Sequence, residues 1–360
     1  MKEKFYDADI HGIDWDGFRD NYAQFLPYIK NNFDFRDLLS EMLGELNGSH
    51  TGARYSYRGG QNTAHFGVIF DTQYEGKGLK IKEVLPGSCL TLVDPEIKAG
   101  DVIEAIDGEE IAAGQSIWDP LVNKAGKDLL LKINKGGKDS VEIRVKSTYT
   151  DQTQLYTRWV RQREEMVKKL SGGRVGYVHV KGMDSESFRE VYSKALGKYR
   201  TCEALIVDTR HNGGGWLHDD LATFLSGKAY IDFVPRGQYI GTEPYSKWLK
   251  PSCVLVCEDN YSDASGFPYV YRELGIGKLI GSPVPGTMTA VWWETQIDNS
   301  LVFGIPEVTS ISRRDGSVLE NQEIEPDILV YNDPASSLRG EDKQLEAAVA
   351  EMLKTIDAAK

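Results

Sequence analysis

Three short apolar runs constrain this chain more than any other feature: Arg174-Val-Gly-Tyr-Val-His-Val180, Ala204-Leu-Ile-Val-Asp208 and Val254-Leu-Val256. Helical patterns separate them. Ser185 to Leu196 lies between the first and second, and Ser262 opens the helix after the third. Strands alternating with helices are the pattern of an α/β fold. The second run leads directly into Asp208-Thr-Arg-His-Asn-Gly-Gly-Gly215, so a glycine turn stands at a strand end. Residues 148–360 are therefore predicted to form an α/β core, with amphipathic Tyr156–Leu170 near its start and a terminal helix over Lys343–Lys360.

At 360 residues the chain exceeds one ordinary core, and two further textures precede the α/β region. Residues 1–60 read as a small helical segment with aromatic anchors at Phe5, Tyr6, Trp15, Phe18, Tyr22 and Phe25. Leu38, Leu39, Met42, Leu43 and Leu46 recur at helical spacing, and Asn47-Gly48 supplies a stop. Residues 61–147 change to short strands at 66–70, 79–84, 129–133 and 141–145, with a short helix predicted over 115–125. Within them, Lys98-Ala-Gly-Asp-Val-Ile-Glu-Ala-Ile-Asp-Gly108 resembles the PDZ signature, its glycines turning tightly around a buried strand. That resemblance implies a PDZ-like β-barrel that docks peptide chain ends by strand addition. Phe66, Gly67 and Val68 would lie near the carboxylate-binding loop. The competing reading is a spacer with an occluded groove.

Hydrophobic residues make up 41% and charged residues 27%, as in a globular protein. The net charge of −12 excludes nucleic acid as the default partner, because polyanions require a basic footprint. Cys89, Cys202, Cys253 and Cys257 form neither a disulfide scaffold nor a metal-ligand pattern. No metal and no cofactor is expected. Neither a signal-like start nor a stretch able to span a bilayer is found, so a soluble protein is expected. It would be cytoplasmic or, if trimmed from something longer, periplasmic. The sequence leaves self-association open.

Four separated pieces supply the parts that a serine needs to hydrolyse an amide. Ser49-His50 follows a helix end and offers a base. Asn212-Gly213-Gly214-Gly215 offers backbone N–H groups for an oxyanion. Ser262-Asp263 stands where a strand turns into a helix, and Glu320 could orient the base. Each piece also has a plainer reading. The glycines suit any sharp turn, and Ser262-Asp263 is a favoured helix cap. Ser265 competes with Ser262 for the nucleophile's role. Of six histidines, His50 is the best placed as base. His179 alternates within a strand as a packed residue does, and His211 and His218 flank the glycine run.

Several longer stretches agree in order with one family. They include Leu43-Gly-Glu-Leu-Asn-Gly-Ser-His50, Gly173-Arg-Val-Gly-Tyr-Val-His179, Asp208-Thr-Arg-His-Asn-Gly-Gly-Gly215, Ser262-Asp-Ala-Ser-Gly-Phe-Pro-Tyr269 and Leu319-Glu-Asn321. Over nearly its whole length the chain resembles the tricorn-like members of the C-terminal-processing serine peptidases, family S41. The resemblance implies a helical segment, a PDZ domain and an α/β core of the ClpP/crotonase-like type. It implies Ser262 as nucleophile, His50 as base, Ser49 as the hydroxyl that orients the imidazole, and Glu320 as the carboxylate behind Ser49. The N–H of Asp263, with that of Gly213 or Gly214, would form the oxyanion hole. Asp232, downstream of the glycine run, is a candidate for reading a basic side chain. Peptides or unfolded chains are the implied substrates. The rival expectation is a catalytically idle, PDZ-containing peptide-binding protein.

Overall fold

The structure, a computed structural model, describes residues 1–57, 59–136 and 139–359. They divide into two compact units: Arg58–Arg163, and Met1–Tyr57 together with Glu164–Lys360.

The larger unit is built on a five-stranded parallel sheet. Its order is Ile328–Leu329, Lys278–Gly281, Ser252–Val256, Ala204–Asp208, Val175–His179. Each strand lies beside the one that precedes it in the chain. The last three are buried at every position. That is why they read as continuous apolar runs, since a parallel sheet is covered on both faces. Val207, Val254 and Val256 pack with Phe224, Phe267 and Tyr271 in one core. Each such side chain contributes roughly 1.5–3 kcal/mol by leaving water. The terminal helix, Lys343–Ala358, buries Leu345, Ala348, Val349, Met352 and Ile356. The helix from Ser185 ends at Ser193, and Lys194–Lys198 continues as a π turn.

A second, antiparallel sheet was not anticipated. Leu301–Thr309 pairs on one side with Thr289–Thr295 and on the other with Ala53–Tyr55. Gly304 and Pro306 interrupt the longer strand and hide its pattern in the sequence. The pairing Ala53–Phe303, Arg54–Val302, Tyr55–Leu301 ties the N-terminal segment to residues some 250 positions away. Gly304 is required at this join. A Cβ there would lie 1.9 Å from the His50 carbonyl oxygen, and its N–H donates to Gly52 O at 3.0 Å.

Two helices occupy the N-terminal segment. Asp14 caps Trp15–Ala23 by accepting from Gly17 N, and Asn31 caps Asn32–Gly44 by accepting from Phe33 N and Asp34 N. Asn47 takes the left-handed conformation expected of a stop (φ 47°). The expected aromatic anchors are fewer than proposed: Phe5 is buried, while Phe25 is exposed.

In the smaller unit the sheet order is Val68–Phe70, Leu79–Val84, Val102–Ile106, Asp128–Asn134, Ser140–Lys146. Glu109–Glu110 also pairs with Val102–Ile106. Its core holds Phe66, Ile81, Ile103, Ile106, Leu131 and Ile133. Among the described residues the edge strands themselves do not pair, although a bridge between His65 and Thr148 joins the segments beside them, and no closed barrel of the expected kind is detected. The helix expected over 115–125 is only a 3-10 turn, Asp119–Leu121. Pro120 withholds an N–H, and Gly114 and Gly126 at positive φ break the chain on either side.

Candidate active site

The strands Ala204–Asp208 and Ser252–Val256 run parallel, with Asp208 beside Leu255, so the turns at their C-terminal ends emerge side by side. One carries the glycine run and the other carries Ser262. The glycine turn is anchored from below. Arg210 is buried and bridges two buried carboxylates, with Nη2 2.7 Å from Asp208 and Nη1 2.9 Å from Asp342. Burial alone would raise the Asp208 carboxyl, but Arg210 more than reverses this and holds it at about 2.

Ser262 precedes the helix Asp263–Glu273 with φ 55° and ψ −126°, a strained conformation for a residue with a side chain. Its hydroxyl makes no capping bond, so the plainer reading of this serine as a helix cap does not hold. Its backbone N–H donates to Thr287 Oγ1 at 2.8 Å. Ser265, the rival, is fully buried and donates to Pro285 O.

Gly214 explains how closely the two turns meet. At φ 100° it lies so near that a Cβ would sit 2.6 Å from Ser262 Cβ and 3.2 Å from Asp263 N. The Gly214 N–H is occupied, donating to Asn212 Oδ1 at 2.9 Å. Among the described residues the N–H groups of Gly213 and Asp263 make no hydrogen bond. The Asp263 carboxylate secures the join by accepting from Leu217 N at 2.6 Å and His218 N at 3.0 Å. It also contacts His218 Nδ1, which raises the pKa of that imidazole.

His50 arrives from the N-terminal segment. Its ring is buried, which pushes the imidazole down to about 4, with Arg54 adding to the effect. Nδ1 lies 2.8 Å from Ser49 Oγ and 3.0 Å from Thr289 Oγ1, and the two hydroxyls are 2.7 Å apart. The His50 N–H donates to Tyr261 Oη at 2.7 Å, and the two rings pack 4.8 Å apart. Glu320, expected behind Ser49, is buried beside it, and among the described residues it takes no hydrogen bond from the Ser49 hydroxyl. Instead Oε1 accepts the Ser49 backbone N–H at 2.5 Å and Oε2 that of Met288 at 2.7 Å. The carboxylate therefore fixes where two backbone segments meet.

His50 and Ser262 line one cavity of about 370 Å³, with Trp216, His218, Met288 and Val308 among its walls. Among the described residues no hydrogen bond joins the imidazole to the serine hydroxyl. Nucleophile–base contacts in unliganded sites are often long and tighten with substrate.

Peptidase family S41 matches residues 174–330, the tricorn protease C1 domain residues 1–44, and the tricorn protease PDZ domain residues 69–149. The chain is tricorn-like, and its α/β segment matches peptidase family S41. It is 28% identical over 369 residues to tricorn protease homolog 1 of Streptomyces coelicolor, covering 99% of this chain and 34% of that one. With tricorn protease of Thermoplasma acidophilum it shares 26% over 353 residues, 94% of this chain and 32% of the other. The crystal structure of the tricorn protease superposes with a TM-score of 0.87 at 23% identity, over 99% of this chain and 36% of that one, which shows a common fold. The tricorn-like chain thus spans about a third of the length of these relatives.

Three further groups of residues lie outside this cavity. Asp232 lies on the exposed hairpin Ile231–Phe233/Gly241–Glu243, accepts from Thr242 Oγ1 at 2.6 Å, and does not line the cavity. In the PDZ domain, Phe66 and Val68 are buried and line a groove of about 350 Å³. The Gly67 N–H donates to Asp151 Oδ1 at 2.7 Å, so a carboxylate of the chain already occupies that amide. Finally, although no metal-ligand pattern was expected, His211, Cys257 and Asp259 gather ligand atoms within 4.8 Å of one another. They lie in two different turns, which sequence spacing does not relate.

Thr289, Thr287 and Tyr261 were missed. Tyr261 adjoins Ser262 and could have been suspected on that ground. The threonines gave no signal, because the strand that carries Thr289 went unrecognised. Among the described residues, no helix is long and apolar enough to cross a membrane.

Proposed function

We propose that this chain is a serine peptidase that cleaves peptides or unfolded chains through an acyl-enzyme on Ser262. The observation that carries the reading is an uncapped serine at a strained strand-to-helix turn, sharing one cavity with a buried imidazole held neutral at pH 7. With the proton on Nδ1, directed at the Ser49 and Thr289 hydroxyls, Nε2 of His50 is left as the base. It takes the Ser262 proton as Oγ attacks the scissile carbonyl, then returns it to the leaving amine. Water repeats the cycle to release the acid. The N–H groups of Asp263 and Gly213 are proposed as oxyanion donors, each worth about 2.7–4 kcal/mol of barrier. Gly214 makes their approach feasible rather than donating. Glu320 serves as a positioning residue for Ser49.

The core is proposed to be of the ClpP/crotonase-like type, in line with its sequential parallel sheet. The division 1–60, 61–147, 148–360 is proposed as the domain plan, with endopeptidase action at internal bonds. Ser262→Ala is expected to abolish labelling by a fluorophosphonate probe, whereas Ser265→Ala should label like the parent. Loss of labelling with Ser265→Ala alone would move the nucleophile. Peptide binding without hydrolysis across a broad library, with Ser262 unreactive, would favour the idle binding protein.

A further inference from the structure

His211 follows the strand Ala204–Asp208, while Cys257 and Asp259 follow Ser252–Val256, so parallel pairing delivers all three to the same end of the sheet. His211 Nδ1 lies 2.8 Å from Asp259 Oδ2 and 3.9 Å from Cys257 Sγ. The His211 N–H donates to the same sulfur at 3.3 Å, and Sγ contacts Asn260 Oδ1 at 3.5 Å. Cys257 is buried, whereas the side chains of His211 and Asp259 are 60% and 64% exposed. The thiol thus forms the floor of the cluster, and the imidazole and carboxylate form a rim open to solvent.

We propose that His211, Cys257 and Asp259 bind a divalent cation of the zinc class, with water as fourth ligand. A thiolate and an imidazole select zinc or cobalt over magnesium or calcium, which prefer oxygen donors. Bonds of about 2.0–2.3 Å in a tetrahedron place ligand atoms about 3.3–3.8 Å apart. That separation lies within the present spread of the three atoms, and the two exposed side chains can rotate to meet it. Binding converts the Cys257 thiol to thiolate and releases its proton to solvent. The cation would link the turn bearing Gly213 and Gly214 to the turn bearing Ser262. The binding site itself stands independently of any role for Ser262.

The test is a titration of the reduced full chain with cobalt(II) alone, followed by absorption and then by displacement with zinc. One equivalent should develop the near-ultraviolet sulfur-to-cobalt band and the visible bands of a four-coordinate ion. Cys257→Ser should abolish the ultraviolet band, and Asp259→Asn, a surface change, should weaken cobalt and zinc binding at least tenfold. Circular dichroism would verify both folds. If Cys257→Ser does not fold, Asp259→Asn decides the matter. A parent chain without the band, a band surviving Cys257→Ser, or unchanged affinity in Asp259→Asn overturns the proposal.

Discussion

A histidine serves as base only in the fraction that is neutral, and burial gives His50 an unusual range. Its imidazole is pushed to about 4, against about 6.5 for the unfolded chain. Between these values the unfolded state holds a proton that the folded state lacks. This contribution to stability is therefore complete above pH 6.5 and is lost as pH falls toward 4. The acid limb of kcat/KM is expected to have its midpoint between about pH 4 and 5, matched by the His50 resonance in an NMR titration. A midpoint at 6.5 or above for both would mean that the ring is not desolvated as described. The residues around the ring differ in how readable they were. Ser49 and His50 could be singled out because a helix stop stands before them. The bond that Glu320 makes to a backbone N–H could not, because it depends on how segments 271 positions apart come together.

Among the elements, the buried parallel strands were readable because burial on both faces leaves an unbroken apolar run. The antiparallel sheet escaped because Gly304 and Pro306 break the alternation of its longer strand. Yet that sheet anchors the segment bearing His50, the proposed base, and its tightest point is Gly304 against the His50 carbonyl. Gly304→Ala is expected to displace His50 and lower kcat by at least tenfold, with the parallel sheet intact. This can be read as lost turnover and a shifted His50 resonance alongside unchanged far-ultraviolet circular dichroism. Parent-like turnover would show that the backbone can yield there without moving the ring. The PDZ strands were similarly legible, while barrel closure was assumed from family pattern, and among the described residues only the His65–Thr148 bridge joins the segments beside the edge strands.

Among the described residues each compact unit has its own large apolar core, and the N-terminal segment adds a smaller cluster of Phe5, Ile10, Leu43 and Leu46. Arg210 belongs to the larger unit, and removing it would leave two buried carboxylates facing each other. Arg210→Ala is therefore expected to cost the larger unit about 3–5 kcal/mol. Hydrogen exchange should show faster exchange in Ala204–Asp208 and Ser252–Val256, with Leu79–Val84 and Asp128–Asn134 in the PDZ domain retaining protection. Equal loss in both would mean that the two cores unfold as one.

Because each parallel strand neighbours its predecessor, the core sheet can be laid down in the order in which a ribosome delivers it. The proposed catalytic machinery cannot. His50 is made early, but the hydroxyl at Thr289, the strand Leu301–Thr309 and the carboxylate of Glu320 that hold it in place are made much later. Until Glu320 has emerged, a nascent chain has nothing to hold the proposed nucleophile and base in register. If Ser262 and His50 act as proposed, the site stays unassembled until the last of these segments is made.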